Sequence, residues 1–199
     1  MANELTFKCK CGSFEAQIHG NPVLSITCHC HSCVAAVKFL ESKSTFDGIS
    51  ALDNDGVALA LYRGKNIDWV SDVSSEEAHA KIGFVKVGEK GKPFRSYCSN
   101  CGTFIAHYER NFSMFNRNAI YNKDGTKFQA TAGSVNNIMR KYSFDPSKVP
   151  AHSSSMVPLG VLVAFVPLLM GFGGKKNAHE DVLFPTDLSN VEVVPITWK

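Results

Sequence analysis

Cys28-His29-Cys30-His31-Ser32-Cys33 places three thiols within six residues, and the reading of the whole chain turns on what they hold. The other four cysteines form two pairs, Cys9 with Cys11 and Cys98 with Cys101, so all seven sit in clusters. An odd number cannot close entirely into disulfides, and a disulfide-stapled scaffold is normally secreted and shorter than 199 residues. Cysteines spaced this closely are instead the usual material of a metal site.

The clusters differ in character. Cys9-Lys10-Cys11-Gly12 and Cys98-Ser99-Asn100-Cys101-Gly102 both end in Cys-Gly. That suits a tight turn around an ion, because glycine takes positive φ and lets backbone N–H groups face the sulfurs. Two such turns make a closed four-thiolate zinc site, structural in character, which clamps the chain near residue 10 to the chain near residue 100. The trio offers only three sulfurs, and three protein ligands with one open position is the pattern of a catalytic or ligand-binding zinc. His29 and His31 are candidates for completing it or for acid–base work beside it. In an extended stretch, however, Cys28 and Cys30 face one way while His29 and His31 face the other. The sequence leaves both arrangements open. Thiolate ligands blunt the Lewis acidity of the metal, so such a zinc suits capture of an incoming sulfur better than ionisation of water.

A C-x-C near the N-terminus, a C-H-C-x-x-C about twenty residues on and a C-x-x-C-G-T near residue 100 together resemble the glutathione-dependent formaldehyde-activating enzyme family, which includes centromere protein V. The resemblance covers roughly residues 5 to 110 and takes in all seven cysteines. It implies a mainly β, β-tent fold with two zinc ions per chain, a structural one on Cys9, Cys11, Cys98 and Cys101 and a catalytic one on Cys28, Cys30 and Cys33. It also implies carbon–sulfur lyase chemistry, the addition of a thiol such as glutathione to formaldehyde or the reverse. The chain departs from the family pattern directly after the trio, where an arginine is usual and Val34-Ala35-Ala36-Val37-Lys38-Phe39 stands instead. A cation at that position would pair with a substrate carboxylate, so its absence leaves the thiol's identity open.

Around these motifs the chain reads as a single domain over residues 1–199, with a less certain C-terminal extension at 145–199. Hydrophobic residues make up 44% and charged residues 20%, and the net charge is only +3. No lysine–arginine run exceeds a pair, which argues against nucleic acid as a partner. The N-terminus has no basic start followed by an apolar core, so no signal peptide is expected and the location is taken as cytoplasmic. Oligomeric state is not legible.

Phe14, Ala16 and Ile18 alternate with Glu15, Gln17 and His19, Asn21-Pro22 turns the chain, and Val23 to Cys28 forms the next strand. Ser32 could cap a short helix carrying Val34, Val37, Phe39 and Leu40, or the stretch could be a tight turn. Strands are expected over 57–63 and 67–71, then, beyond a loop at 88–93, over 94–98 and 103–108 around the second Cys-Gly turn. In the last of these, Phe104, Ala106 and Tyr108 share one face and Ile105 and His107 the other. Arg95, Tyr97 and Thr103 flank the second Cys-Gly turn, where an anionic thiol would need such a cation and hydroxyl, but the favoured reading makes Arg95 solvated surface and Tyr97 core; His19 and His107 are read as half-exposed strand residues, with acid–base catalysis as the alternative. Asp124-Gly125 marks a hairpin between 119–122 and 127–130. Met156 to Phe172 carries no charge but holds Pro158 and Pro167. It is expected to pack within the protein, with contact with a membrane or a partner as the alternatives. Val191 to Trp198 reads as a last strand that Pro195 confines to an edge. The favoured function is an enzyme handling a small-molecule thiol; the alternative is a noncatalytic zinc module that binds a thiol or a protein partner.

Overall fold

A computed structural model describes residues 4–70, 77, 80–91, 94–109, 112–131, 133–170 and 188–195. The elements are β1 (Glu4–Lys8), β2 (Glu15–His19), β3 (Leu24–Cys28), α1 (His31–Glu41), β4 (Leu52–Asp53), β5 (Gly56–Arg63), β6 (Ile67–Trp69), β7 (Ile82–Val87), β8 (Arg95–Cys98), β9 (Phe104–Glu109), β10 (Phe112–Asn116), β11 (Ile120–Asn122), β12 (Val135–Ile138), α2 (Leu159–Leu169) and β13 (Val191–Val194). The fold is mainly β, as the alternating pattern required. A four-stranded sheet runs β11-β1-β2-β6, and a nine-stranded sheet runs β12-β3-β5-β10-β9-β8-β7-β13 with β4 beside β5.

Two cores follow from the two faces of the large sheet. Leu5, Phe7, Ala16 and Ile18 of the small sheet pack on Ala60, Tyr62, Ile105 and Phe115 of the large one. On its other face Ile26, Val57, Leu59, Leu61 and Phe112 pack against Val34, Ala35, Val37 and Leu40 of α1, with Leu168 of α2. Central strand β5 is therefore buried along both faces, Val57, Leu59 and Leu61 toward the helices and Ala60 and Tyr62 toward the small sheet. Its uninterrupted apolar run suits such a position. Arg117 is buried beneath β3 and braces it, donating to Ile26 O and Thr27 Oγ1 while pairing with Asp53 at 2.8 Å.

Four local expectations are corrected. The residues after the trio form a helix, but its N-cap is Cys30 rather than Ser32, the thiol accepting from Cys33 N–H at 3.4 Å. β9 does not alternate simply: the register with β8 shifts between Ser96 and Tyr97. In consequence Phe104 faces the helices while Ile105 and Ala106 both belong to the inter-sheet core. The second strand of the Asp124-Gly125 hairpin shrinks to one bridge, Tyr121 with Lys127. Finally, Met156 to Phe172 is not a buried element. Its core is α2, with Pro158 as N-cap and Pro167 in the last turn, and Val161 and Leu168 are buried while Leu159, Leu162, Val163 and Val166 are exposed. Pro158 at the N-cap costs no helical hydrogen bond, whereas Pro167 lacks the amide that would donate to Val163 O, close to where the helix ends. Among the described residues no helix is long and apolar enough to cross a membrane. β13 lies at a sheet edge, as Pro195 required, but pairs in parallel with β7. The parts of these expectations at residues 71, 92–93, 171–172 and 196–198 lie outside the described residues.

Candidate metal centres

The two Cys-Gly turns meet where the sheets meet. Cys9 and Cys11 follow β1, Cys98 ends β8, and Cys101 lies in the turn to β9, so the cluster joins a hairpin of each sheet. All four sulfurs lie within 4.8 Å of one another; Cys9–Cys11 is 3.6 Å and Cys11–Cys98 is 3.5 Å. A tetrahedral ion with bonds of about 2.3 Å holds its sulfurs about 3.8 Å apart, so the group fits zinc. Gly12 and Gly102 both take positive φ, 76° and 78°, as the turns require. The Phe14 amide donates to Cys9 Sγ at 3.2 Å, and Thr103 Oγ1 lies 3.2 Å from Cys101 Sγ. Thr103 also accepts from the Ile49 amide at 3.0 Å, so it serves this closed site. Without a cation the thiols compete: Cys9 is pushed up to about 11, chiefly by its bond to Cys101, while Cys101 is held far below the usual thiol range by bonds from Cys9 and Cys98.

The trio is assembled at a strand-to-helix junction. Cys28 ends β3, Cys30 caps α1 and Cys33 lies in its first turn, with Cys33 and Val34 amides donating to Cys30 O at 3.1 Å. The three sulfurs also lie within 4.8 Å of one another, Cys28 and Cys30 at 3.5 Å. Among the described residues no fourth histidine, cysteine or carboxylate joins them. His29 is fully buried with Nε2 at 3.4 Å from Asn137 Oδ1, and its Nδ1 faces the backbone at Gly56. His31 packs on Phe144, ring centroids 3.9 Å apart. Both histidines thus lie outside the sulfur group, His29 just past the end of β3 and His31 where the chain has already turned into α1.

From the sequence, the groups that come from across the sheet are only the less favoured alternative. Arg95 is not solvated surface. It is 2% exposed, with Nη2 donating to Ser32 Oγ at 2.8 Å and standing 3.9 Å from Cys33 Sγ. His107 is the cross-strand partner of Arg95 and adds positive potential at Cys33. The shifted register of β9 puts His107 on that face, so the signal lay in a bulge that no residue pattern announces. Cys33 is accordingly held well below the ordinary thiol range, first by bonds from Cys28 and Cys30 and then by Arg95 and His107, against the effect of burial. Cys28 is pushed well up by its bonds to Cys30 and Cys33 and by burial. Cys30 is drawn down by Cys28 but pushed up to about 12 by Cys33 and burial. Cys33 is the most acidic of the three, and burial opposes ionisation of the whole trio unless a cation is bound. Three convergent sulfurs beside a buried guanidinium thus fit a soft dication.

Tyr97 is core, as expected, but its hydroxyl joins Lys43 (3.1 Å) and Glu192, which ties the turn after α1 to β13. His19 pairs with Asp68 at 2.8 Å on the small sheet, in neither cluster. A cavity of about 200 Å³ opens beside the next face of α1, lined by Val34, Lys38, Asp55, Phe144, Asp145 and Lys148 among others. Both clusters can hold a metal, one with four sulfurs and one with three. A scan against family models matches no family, and a search of curated proteins finds no match.

Proposed function

We propose that this protein is a zinc-dependent carbon–sulfur lyase-like enzyme that joins a small-molecule thiol to a small carbonyl compound such as formaldehyde, or runs the reverse cleavage. The observation that carries the reading is the convergence of Cys28, Cys30 and Cys33, with no fourth ligand among the described residues, beside the buried guanidinium of Arg95. Bound there, zinc supplies a soft acceptor with a vacant position for a thiolate sulfur. Arg95 raises the positive potential where a fourth anionic sulfur must arrive, and it orients the Ser32 hydroxyl at 2.8 Å. In the addition the carbon–sulfur bond forms, the carbonyl π pair moves to oxygen, and the thiol proton ends on that oxygen; cleavage reverses each change. Ser32 Oγ can donate to the oxygen as it gains charge, while Arg95 keeps that hydroxyl in place.

The cation missing at Val34 has a counterpart. Lys38 stands one helical turn further along α1 and lines the same cavity as Val34, with Lys148 on the facing loop. A thiol carrying carboxylates therefore finds cations beside α1, and Asp55 and Asp145 provide for an ammonium group.

One observation favours the noncatalytic module. Three thiolates and a dication leave one net negative charge, which Arg95 offsets at 3.9 Å, so the site is electrically complete without a ligand. Cobalt substitution separates the readings. Sulfur-to-cobalt charge-transfer bands should strengthen when a small thiol is added, and formation of the thiol–formaldehyde adduct should exceed the uncatalysed rate. A spectrum that no thiol alters, but that Cys30→Ser does, leaves the zinc module in place of the enzyme.

A further inference from the structure

Helix α2 carries two apolar stripes. Val161, Phe165 and Leu168 lie on the packed side, the Phe165 ring edge-on to Phe112 at 5.5 Å between centroids. Leu159, Leu162, Val163, Val166 and Met170 follow the spacing i, i+3, i+4, i+7 and i+11, a second continuous face. These five are 76%, 46%, 61%, 49% and 64% exposed. A helix that is apolar all round belongs in a protein core or in lipid, and this face is in no core. At about 1.5 Å per residue the helix is about 16 Å long, roughly half of a hydrocarbon layer, so it can lie along a bilayer but not cross it.

The surroundings supply charge. Arg140 and Lys141 amides donate to Ser154 O and Ser155 O, both at 3.1 Å, which docks their turn beside the segment that enters α2. Tyr142 follows, 45% exposed, with Lys141 Nζ 5.9 Å from its ring centroid, and Met156 is 55% exposed. Lys148 is paired with Asp145 at 3.7 Å, and between Pro146 and His179 the sequence adds Lys175 and Lys176 and no acidic residue. An apolar face flanked by an exposed aromatic and basic side chains has the composition of a membrane interface. A second copy of the chain would bring another basic turn to the seam, whereas an anionic headgroup brings the opposite charge.

We propose that this face docks on a bilayer carrying anionic lipid, the exposed stripe of α2 seated at the acyl boundary and Arg140 and Lys141 against the headgroups. Co-sedimentation of the full-length protein with vesicles tests it. Phosphatidylcholine vesicles containing phosphatidylserine should pellet the protein, less so as salt rises, and phosphatidylcholine alone should pellet little. Leu159→Ser with Val163→Ser should abolish pelleting with the melting temperature unchanged, since both side chains are exposed. Lys141→Glu should weaken binding about tenfold. No pelleting with phosphatidylserine, or equal pelleting with both vesicle types, overturns the proposal. So does a wild-type dimer that the double variant turns into a monomer, which assigns the face to a second copy.

Discussion

Replacing Arg95 by methionine keeps an unbranched, somewhat shorter stem and removes the charge from a site where it is 2% exposed and 3.9 Å from Cys33 Sγ. For two unit charges at that distance, an effective dielectric of about 20 gives roughly 4 kcal/mol. A metal-bound trio shares its one net negative charge among three sulfurs, which lowers the figure for Cys33 to roughly a third, about 1.4 kcal/mol. Counted from the protonated trio, the variant should therefore bind metal there about tenfold more weakly, an effect that fades at a pH where the Cys33 thiolate is already formed, while the four-thiolate site keeps its ion. Arg95→Lys should fall between, since it keeps the charge and loses the fork that reaches Ser32. Competition with a chromophoric zinc chelator measures each step, and a thermal melt confirms that the variant is folded. Two zinc ions held with wild-type affinity by folded Arg95→Met would refute the coupling of Arg95 to the trio.

Elemental analysis should find two zinc ions per chain, with the trio's ion leaving first under a mild chelator because it has an open side. Cys98→Ser should unfold the protein, since Cys98 lies in the inter-sheet core, whereas Cys30→Ser at the helix cap should stay folded and carry one metal, as circular dichroism with metal counting will show. Glu192→Gln should cost about 1 kcal/mol in denaturant melts. Burial raises the Glu192 pKa, but the bonds from Lys43 and Tyr97 outweigh it, and the net shift is below the ordinary 4.5. Its contribution is thus complete above that value and lost as pH falls through the lower folded one, so wild type and variant should converge in acid. Gly56→Ala should destabilise by about 1–3 kcal/mol and loosen the trio's metal. The added Cβ would lie 2.7 Å from the His29 ring and from Thr27 Cγ2, next to Cys28. An unchanged melt would show that this corner yields more easily than its packing implies.

What the sequence disclosed was local. Ligand spacing and the two Cys-Gly pairs gave both sulfur groups, because a metal-binding turn is written in adjacent residues. Phe14, Ala16 and Ile18 gave a strand whose apolar side is buried, because period two needs no partner to be visible. Arg95 could be named but not placed, because it meets Ser32 across 63 positions of chain, a pairing that only the order of the strands decides. The cap was misplaced for a chemical reason, since a thiol rather than a hydroxyl accepts the Cys33 amide. Hydropathy marked α2 as apolar, yet whether a stripe meets the core or solvent depends on the width of the sheet beneath it. That width is fixed by strands distant in the chain.

The strand order also governs how the chain can be completed as it is synthesised. Three of the four outermost strands, β11, β12 and β13, come from sequence after residue 119, and they cover β1, β3 and β7, which are made much earlier. Until those late segments leave the ribosome, the early strands present bare amides and carbonyls that could pair with another nascent chain. Cys9 and Cys11 likewise wait for Cys98 and Cys101 before their ion can be enclosed. A truncation in the last third of the protein would therefore uncover β3 and β7, and its cost should appear as aggregation rather than as the loss of a peripheral appendage.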